Sequence, residues 1–214
     1  MELSNLREHY DKGELLESDL LADPIQLFML WLEAAIAADN VPEPNMMVLA
    51  TSFKGQPSSR AVLLKGLEPS GFIFYTNYHS RKAREILDNP KVSVSFNWLA
   101  MHRQVRIEGI AEKISKEKST KYFQSRPKGS QIGAWASQQS AVIFGREVLE
   151  EAVERLNEEY KNQEILPKPP NWGGFMVQPN TIEFWQGRRS RLHDRLVYKK
   201  HPQKNMWETS RLAP

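Results

Sequence analysis

No cysteine occurs anywhere in the 214 residues. That excludes a disulfide framework, a thiolate metal site and a cysteine nucleophile. Long apolar runs are missing too, and nothing approaches the roughly 20 consecutive apolar residues that a membrane-crossing helix needs. The opening stretch, MELSNLREHYDKGELLESDL, is polar and acidic and lacks the apolar core of a secretory signal. A soluble, cytoplasmic protein with no membrane partner is expected. Charge of one sign is also scarce: 29 Lys and Arg face 26 Asp and Glu, a formal net charge of +3. A nucleic-acid binder would show a larger surplus. The five histidines have no metal-ligand spacing, so no metal is expected. No GxGxxG follows a strand and no P-loop occurs, which removes dinucleotide-fold and nucleoside-triphosphatase readings.

What is present reads as many short strands with helices inserted. Residues 1–23 form an irregular or partly helical arm, and Asp23-Pro24 opens a helix through about Ala38, with Ile25, Phe28, Met29, Leu32 and Ile36 on its apolar face. Strands are expected at Met46–Ser52, Ser58–Lys65, Phe72–Thr76, Val92–Trp98 and Gln104–Ile114. Further strands are expected at Gly174–Gln178, Thr181–Gln186, Arg191–Tyr198 and near Met206–Thr209. Helices are expected at Ser80–Leu87, Lys116–Ser125, Gln131–Ser137 and Glu147–Lys161, the last with Val148, Leu149, Val153 and Leu156 inward. Hairpin-like spacing without βαβ alternation implies an antiparallel β-barrel, closed or split, with peripheral helices, as one domain over 24–214.

Four clusters seek anions. If Arg191–Tyr198 is extended, alternation places Arg191, His193, Arg195 and Val197 on one face, where the cations repel one another unless an anion or an electron-rich ring lies against them. Ser80 is a plausible N-cap that puts Arg81 and Lys82 in a helix's first turn, unfavourable for cations by roughly 0.3–1 kcal/mol each unless a phosphate sits there. In Ser59-Arg60-Ala61-Val62-Leu63-Leu64-Lys65 the two cations differ by an odd number. They reach one ligand only if Lys65 lies past the strand end or a bulge intervenes. Tyr122 and Arg126 share a helix face, and Ser130 is placed to cap the helix after Pro127, which together describe a second phosphate pocket.

These residues, with Phe74-Tyr-Thr-Asn77, Arg103-Gln104-Val105, Ser130-Gln-Ile-Gly-Ala-Trp135, Gln139-Ser140, Trp172-Gly-Gly-Phe175, Glu183-Phe-Trp-Gln-Gly187 and Arg211-Leu-Ala-Pro214, resemble the pyridoxine 5′-phosphate oxidase family. The likeness runs in register from about Leu6 to Pro214. It implies a homodimeric FMN-binding split barrel with the FMN held between subunits. By the resemblance, FMN would meet Arg60, Val62, Leu63, Lys65, Tyr75, Thr76, Arg81, Lys82, Gln139 and Ser140. Gln104, Trp185 and Arg195 would approach the flavin, partly from the partner subunit. The substrate phosphate would meet Lys65, Tyr122, Arg126 and Ser130. Arg191 and His193 would act at the pyridine ring as the catalytic pair, and Arg7 and Tyr10 would belong to an arm that covers the substrate.

The implied reaction takes phosphorylated B6 vitamers, pyridoxine 5′-phosphate or the amine, to pyridoxal 5′-phosphate. C4′ gives up a hydride equivalent to flavin N5, and O2 reoxidises the flavin to H2O2. Leu15-Leu16-Glu17-Ser18 departs from the consecutive arginines of some members, and Arg188-Arg189-Ser190 makes the following turn unusually basic. The alternative is a split-barrel flavin protein that acts on another ring substrate or carries flavin without catalysis. Such a carrier would have no need of Tyr122, Arg126, Ser130, Arg191 and His193 together.

Overall fold

The computed structural model describes residues 2–3, 5–6, 9–204 and 206–214. Asp23 caps helix α1 (Pro24–Ala37), its Oδ1 accepting the N–H of Ile25 at 2.9 Å. The helix buries Ile25, Leu27, Phe28, Trp31 and Ala35. Met29 and Ile36 are exposed, so the buried stripe is rotated from the expected one toward Leu27 and Trp31. Strands β1 (Met46–Phe53) and β2 (Gln56–Leu63) form a hairpin around Lys54-Gly55, both in the left-handed region (φ 50° and 81°). That is the two-residue turn matching the twist of paired strands, and it accounts for the glycine.

A short β3 (Gly66–Glu68) pairs with β4 (Gly71–Asn77), and β5 (Lys91–Trp98), β6 (Arg103–Lys113) and β7 (Trp172–Gln186) complete the wall. All pairs are antiparallel, in the order β2-β1-β5-β6-β7-β4-β3, with β8 (Asp194–Lys200) and β9 (Trp207–Arg211) branching from β7. The branch makes this a split barrel. The first half of β7 pairs with β4, from Trp172 to Val177, and its last half with β8, from Thr181 to Gln186. Two separate strands were expected there because Pro179-Asn180 reads as a turn. Instead β7 runs through Pro179, and the register shift falls opposite, between Glu108 and Gly109. A Cβ on Gly109 would stand 2.2 Å from the Gln178 carbonyl oxygen, so only glycine permits that approach.

Alternation sends Met47, Leu49, Val94, Phe96, Val105, Ile107, Ile182 and Phe184 into the barrel against α1, where Phe28 meets Phe72 and Phe96 at 4.9 and 4.8 Å between ring centres. Helices α3 (Lys116–Ser125), α4 (Lys128–Ala136) and α5 (Glu147–Glu159) close a smaller core of Phe123, Ile132, Leu156, Leu166 and Trp172. On α5, Leu156 is buried and Val153 packs beside it, whereas Val148 is exposed. Among the described residues no helix is long and apolar enough to cross a membrane.

Candidate active site

A cleft of about 630 Å³ opens where the ends of β2 and β4 meet the first turn of α2 (Arg81–Asp88) and the α3–α4 junction. Lys65 lies past the end of β2, its N–H donating to the Ile73 carbonyl at 2.8 Å. Val62, Leu63 and Lys65 border one cleft, but Arg60 does not, so the two cations of this segment do not meet there. Ser80 caps α2, accepting the Ala83 N–H, which sets Arg81 and Lys82 in the first turn as expected. Lys82 Nζ donates to Thr76 Oγ1 (3.2 Å) and Gln139 Oε1 (3.1 Å), while Thr76 Oγ1 donates to Gln139 (2.9 Å). Ser140 Oγ accepts the Arg81 N–H at 3.1 Å. Burial, then the Arg60 charge, holds the Lys82 ammonium below the usual lysine value. A bound anion would reverse that.

The opposite wall is a stack. Tyr75 lies 3.9 Å from Tyr122 and 5.4 Å from Trp172 between ring centres, all nearly parallel, and the Arg126 guanidinium sits 4.9 Å over Trp172. Arg126 ends α3, and its buried NH1 has no hydrogen-bond partner among the described residues. A buried donor without an acceptor is costly, so this nitrogen calls for an anion. Burial pushes the Tyr75 and Tyr122 phenols up, keeping them neutral donors. Ser130 borders the same cleft but caps nothing: α4 begins at Lys128 with Pro127 in the cap position, which places Ser130 inside the first turn. Pro127 has no side-chain acceptor to offer, so that terminus is uncapped.

Arg60 and Arg81 turn away from the cleft toward Glu85, which is buried on α2. Its carboxylate accepts from Arg81 Nε (2.8 Å), Arg60 NH2 (3.2 Å), Ser58 Oγ (2.6 Å) and Thr51 Oγ1. Burial alone would raise the carboxyl, but the hydrogen bonds from Ser58, Thr51 and Arg81 outweigh it and hold Glu85 at about 2.

A second pocket, of about 890 Å³, lies at the β7–β8 turn, bordered by Tyr10, Arg191 and His193. The strand expected from Arg191 begins only at Asp194, because Ser190 and Arg191 adopt left-handed backbone (φ 54° and 63°) in a tight turn. Arg191 and His193 are therefore turn residues and share no strand face with Arg195. His193 packs 4.7 Å from Trp185 and 5.3 Å from Tyr10, and its Nδ1 accepts the Arg188 N–H at 3.0 Å. Burial and the Arg191 charge lower its affinity for a proton, against a smaller opposite pull from Asp194. Arg7 lies outside the described residues.

Gln104, Trp185 and Arg195 sit side by side across β6, β7 and β8. Gln104 donates to Asn97, while Arg195 binds Glu183 at 2.7 Å and the Ala213 carbonyl at 2.8 Å. The two groups of residues are far apart in one chain. Tyr75 pairs with Gly174, and Trp185 lies eleven residues further along β7, roughly 36 Å of strand at about 3.3 Å per residue. Three residues escaped the sequence reading as site residues. Trp172 was seen only within a motif, Glu85 stands four residues after Arg81 on one helix face, and Asp194 carried no signal beyond adjacency to His193.

A profile described as Pyridoxamine 5′-phosphate oxidase matches residues 33–160. One described as Pyridoxine 5′-phosphate oxidase C-terminal dimerisation region matches 172–214. The chain is 51% identical over 213 residues to a pyridoxine/pyridoxamine 5′-phosphate oxidase of Microcystis aeruginosa, covering 99% of this chain and 98% of that one. It is 51% identical over 215 residues to that of Hahella chejuensis, covering both completely. Among solved structures it is similar to PhzG from Burkholderia lata, in complex with tetrahydrophenazine-1-carboxylic acid, with a TM-score of 0.87, 31% identity, and 95% of this chain and all of that one covered. An FMN-binding protein of Nostoc punctiforme related to pyridoxamine 5′-phosphate oxidase shares the fold, with a TM-score of 0.71 and 18% identity over 92% of this chain and all of that one.

Proposed function

Because the chain belongs to the pyridoxamine 5′-phosphate oxidase family, we propose that it oxidises pyridoxine 5′-phosphate or pyridoxamine 5′-phosphate to pyridoxal 5′-phosphate with FMN and O2, releasing H2O2. The chain is an oxidoreductase of this family and carries its dimerisation region. The observation that carries the substrate reading is the buried, unpartnered NH1 of Arg126 in a cleft it shares with Lys65, Tyr122 and Ser130. Cations and neutral hydroxyls converging on one point suit a phosphate dianion.

The residues around Lys82 fit a flavin phosphate. Thr76, Gln139 and the N-terminus of α2 supply polar groups, and an anion would offset the burial that disfavours the Lys82 ammonium. Bound flavin supplies the acceptor for the electron pair leaving substrate C4′, with O2 as the final oxidant. This chain's part is positioning. Two phosphate clamps fix substrate and cofactor relative to each other, which converts an encounter into a held geometry. Tyr75, Tyr122 and Trp172 wall the cleft with a flat, water-excluding surface.

The separation of the two groups supports a homodimer with FMN at its interface. The cleft lacks Gln104, Trp185, Arg191 and His193, which lie far along β7 in the same chain, and a two-fold partner would bring its own set to each cleft. A second reading has a specific support. PhzG was solved with a phenazine ring acid, so another ring substrate would suit the same fold.

The test is the visible spectrum of the purified protein under anaerobic conditions, before and after pyridoxine 5′-phosphate. Bleaching that air reverses is the expected result. A flavin spectrum that stays unchanged, but bleaches with a carboxylated ring substrate, would move the function to the second reading.

A further inference from the structure

The turn that carries Arg191 and His193 has two consecutive non-glycine residues in left-handed backbone, so contacts outside it must hold its shape. One carboxylate at its C-terminal end ties it to the rest of the chain. Asp194 Oδ1 accepts from Arg211 at 2.8 Å, and its Oδ2 accepts from the Leu15 N–H at 3.1 Å and from Arg188 at 3.3 Å. The donors come from three places: the C-terminal strand, the N-terminal arm and the turn itself. Arg188 also reaches Glu14 of the arm at 2.9 Å.

Held this way, Arg188 points its backbone N–H at His193 Nδ1, at 3.0 Å. A backbone amide can only donate, so the ring nitrogen it meets carries no proton. The neutral imidazole then bears its single proton on Nε2. From this geometry, and resting on the reading that the turn faces the substrate ring, we propose that Asp194 is a positioning residue that fixes His193 as an Nε2–H donor. His193 thereby hydrogen-bonds an oxygen or nitrogen acceptor of the ring and does not abstract a proton from it.

The test uses the FMN-loaded full chain labelled with 15N-histidine. Two-bond 1H–15N correlations distinguish the two neutral tautomers from the protonated ring, and His193→Gln identifies the signal among the five histidines. The wild type is expected to show a protonated Nε2 and a bare Nδ1 at neutral pH without substrate. In Asp194→Asn that pattern is expected to become a mixture, with kcat/KM for pyridoxine 5′-phosphate down at least fivefold and the flavin spectrum retained. His193→Gln, which keeps a donor but offers no base, is expected to be more active than His193→Ala. Should Asp194→Asn fail to fold, Arg188→Met removes the side-chain tie while keeping the backbone amide, and the same tautomer mixing is expected. A wild-type proton on Nδ1, or an unchanged tautomer in a folded variant, would overturn the proposal. The tautomer is read without turnover, so failure to oxidise the B6 substrate would count against the functional reading alone.

Discussion

The cleft and the turn pocket handle positive charge in opposite ways. In the cleft, among the described residues, Lys82 hydrogen-bonds Thr76 and Gln139 and no carboxylate, and Arg126 leaves one buried nitrogen without a partner. At the turn pocket carboxylates accompany two of the three arginines: Arg188 has Glu14 and Asp194, and Arg189 has Asp11. A cation without a counter-ion is held ready for a ligand's charge, whereas one already paired holds structure. The difference supports the proposal that the cleft binds phosphate and the turn pocket orients the ring. Glu85 is the cleft's exception. It neutralises Arg60 and Arg81 beside an otherwise uncompensated Lys82.

That exception gives the largest expected effect. In Glu85→Gln the buried carboxylate that half-buried Arg60, exposed Arg81, Ser58 and Thr51 all donate to loses its charge, a loss of about 3 kcal/mol for the cofactor-free protein. FMN should restore part of it, because its phosphate offers the same arginines another anion. Denaturant melts with and without FMN check this, and an equal loss in both would separate Glu85 from the cofactor site. The pH dependence has a definite sign. The Glu85 carboxyl is held at about 2, below its ordinary 4.5. Its contribution is complete above about pH 4.5 and is lost as pH falls toward 2, so the gap between wild type and variant should close in acid.

Arg126→Ala comes next. Removing a charge-assisted contact to a phosphate should raise KM for pyridoxine 5′-phosphate roughly 100-fold, about 2.7 kcal/mol, with FMN retained. Equal loss of substrate and FMN binding would merge the two phosphate sites into one. Steady-state kinetics beside flavin fluorescence decides between them.

Both variants fall on residues that local rules reached unequally. The caps Asp23 and Ser80 were legible, because a cap depends on a few adjacent residues. The cleft's Lys65, Tyr122 and Arg126 were legible as chemistry, and the structure brings them together. The unbroken β7 was not legible. Pro179-Asn180 signals a turn locally, and the shift that lets the strand pass lies on its neighbour at Glu108-Gly109. Nor was the left-handed turn at Ser190-Arg191, which has no glycine to announce it and is tied by Asp194 to two distant segments and to Arg188 of the turn itself. Long-range ties of that kind leave no periodicity to read.

In the turn pocket the expected effects are smaller. Arg191 is exposed at the pocket's mouth and has no ion-pair partner among the described residues. Arg191→Ala should therefore leave the protein yellow and stable while lowering kcat/KM at least roughly tenfold, about 1.4 kcal/mol of transition-state stabilisation. Unchanged kinetics would remove Arg191 from the site.

Arg189 sharpens the contrast, since it lies two residues away in the same basic turn. Its guanidinium is 77% exposed and meets Asp11, itself half-exposed, at 3.3 Å. Exposed pairs of this kind contribute about 0.2–1 kcal/mol and are screened by salt. Arg189→Ala should therefore shift stability by about 0.5 kcal/mol or less and kcat/KM by less than about twofold, with any change fading as salt is added. If instead Arg189→Ala matched Arg191→Ala at every salt concentration, pairing with a carboxylate would no longer separate structural from functional cations in this turn. The pocket would then have to be read as a single basic surface that attracts an anionic substrate before the cleft takes hold of it.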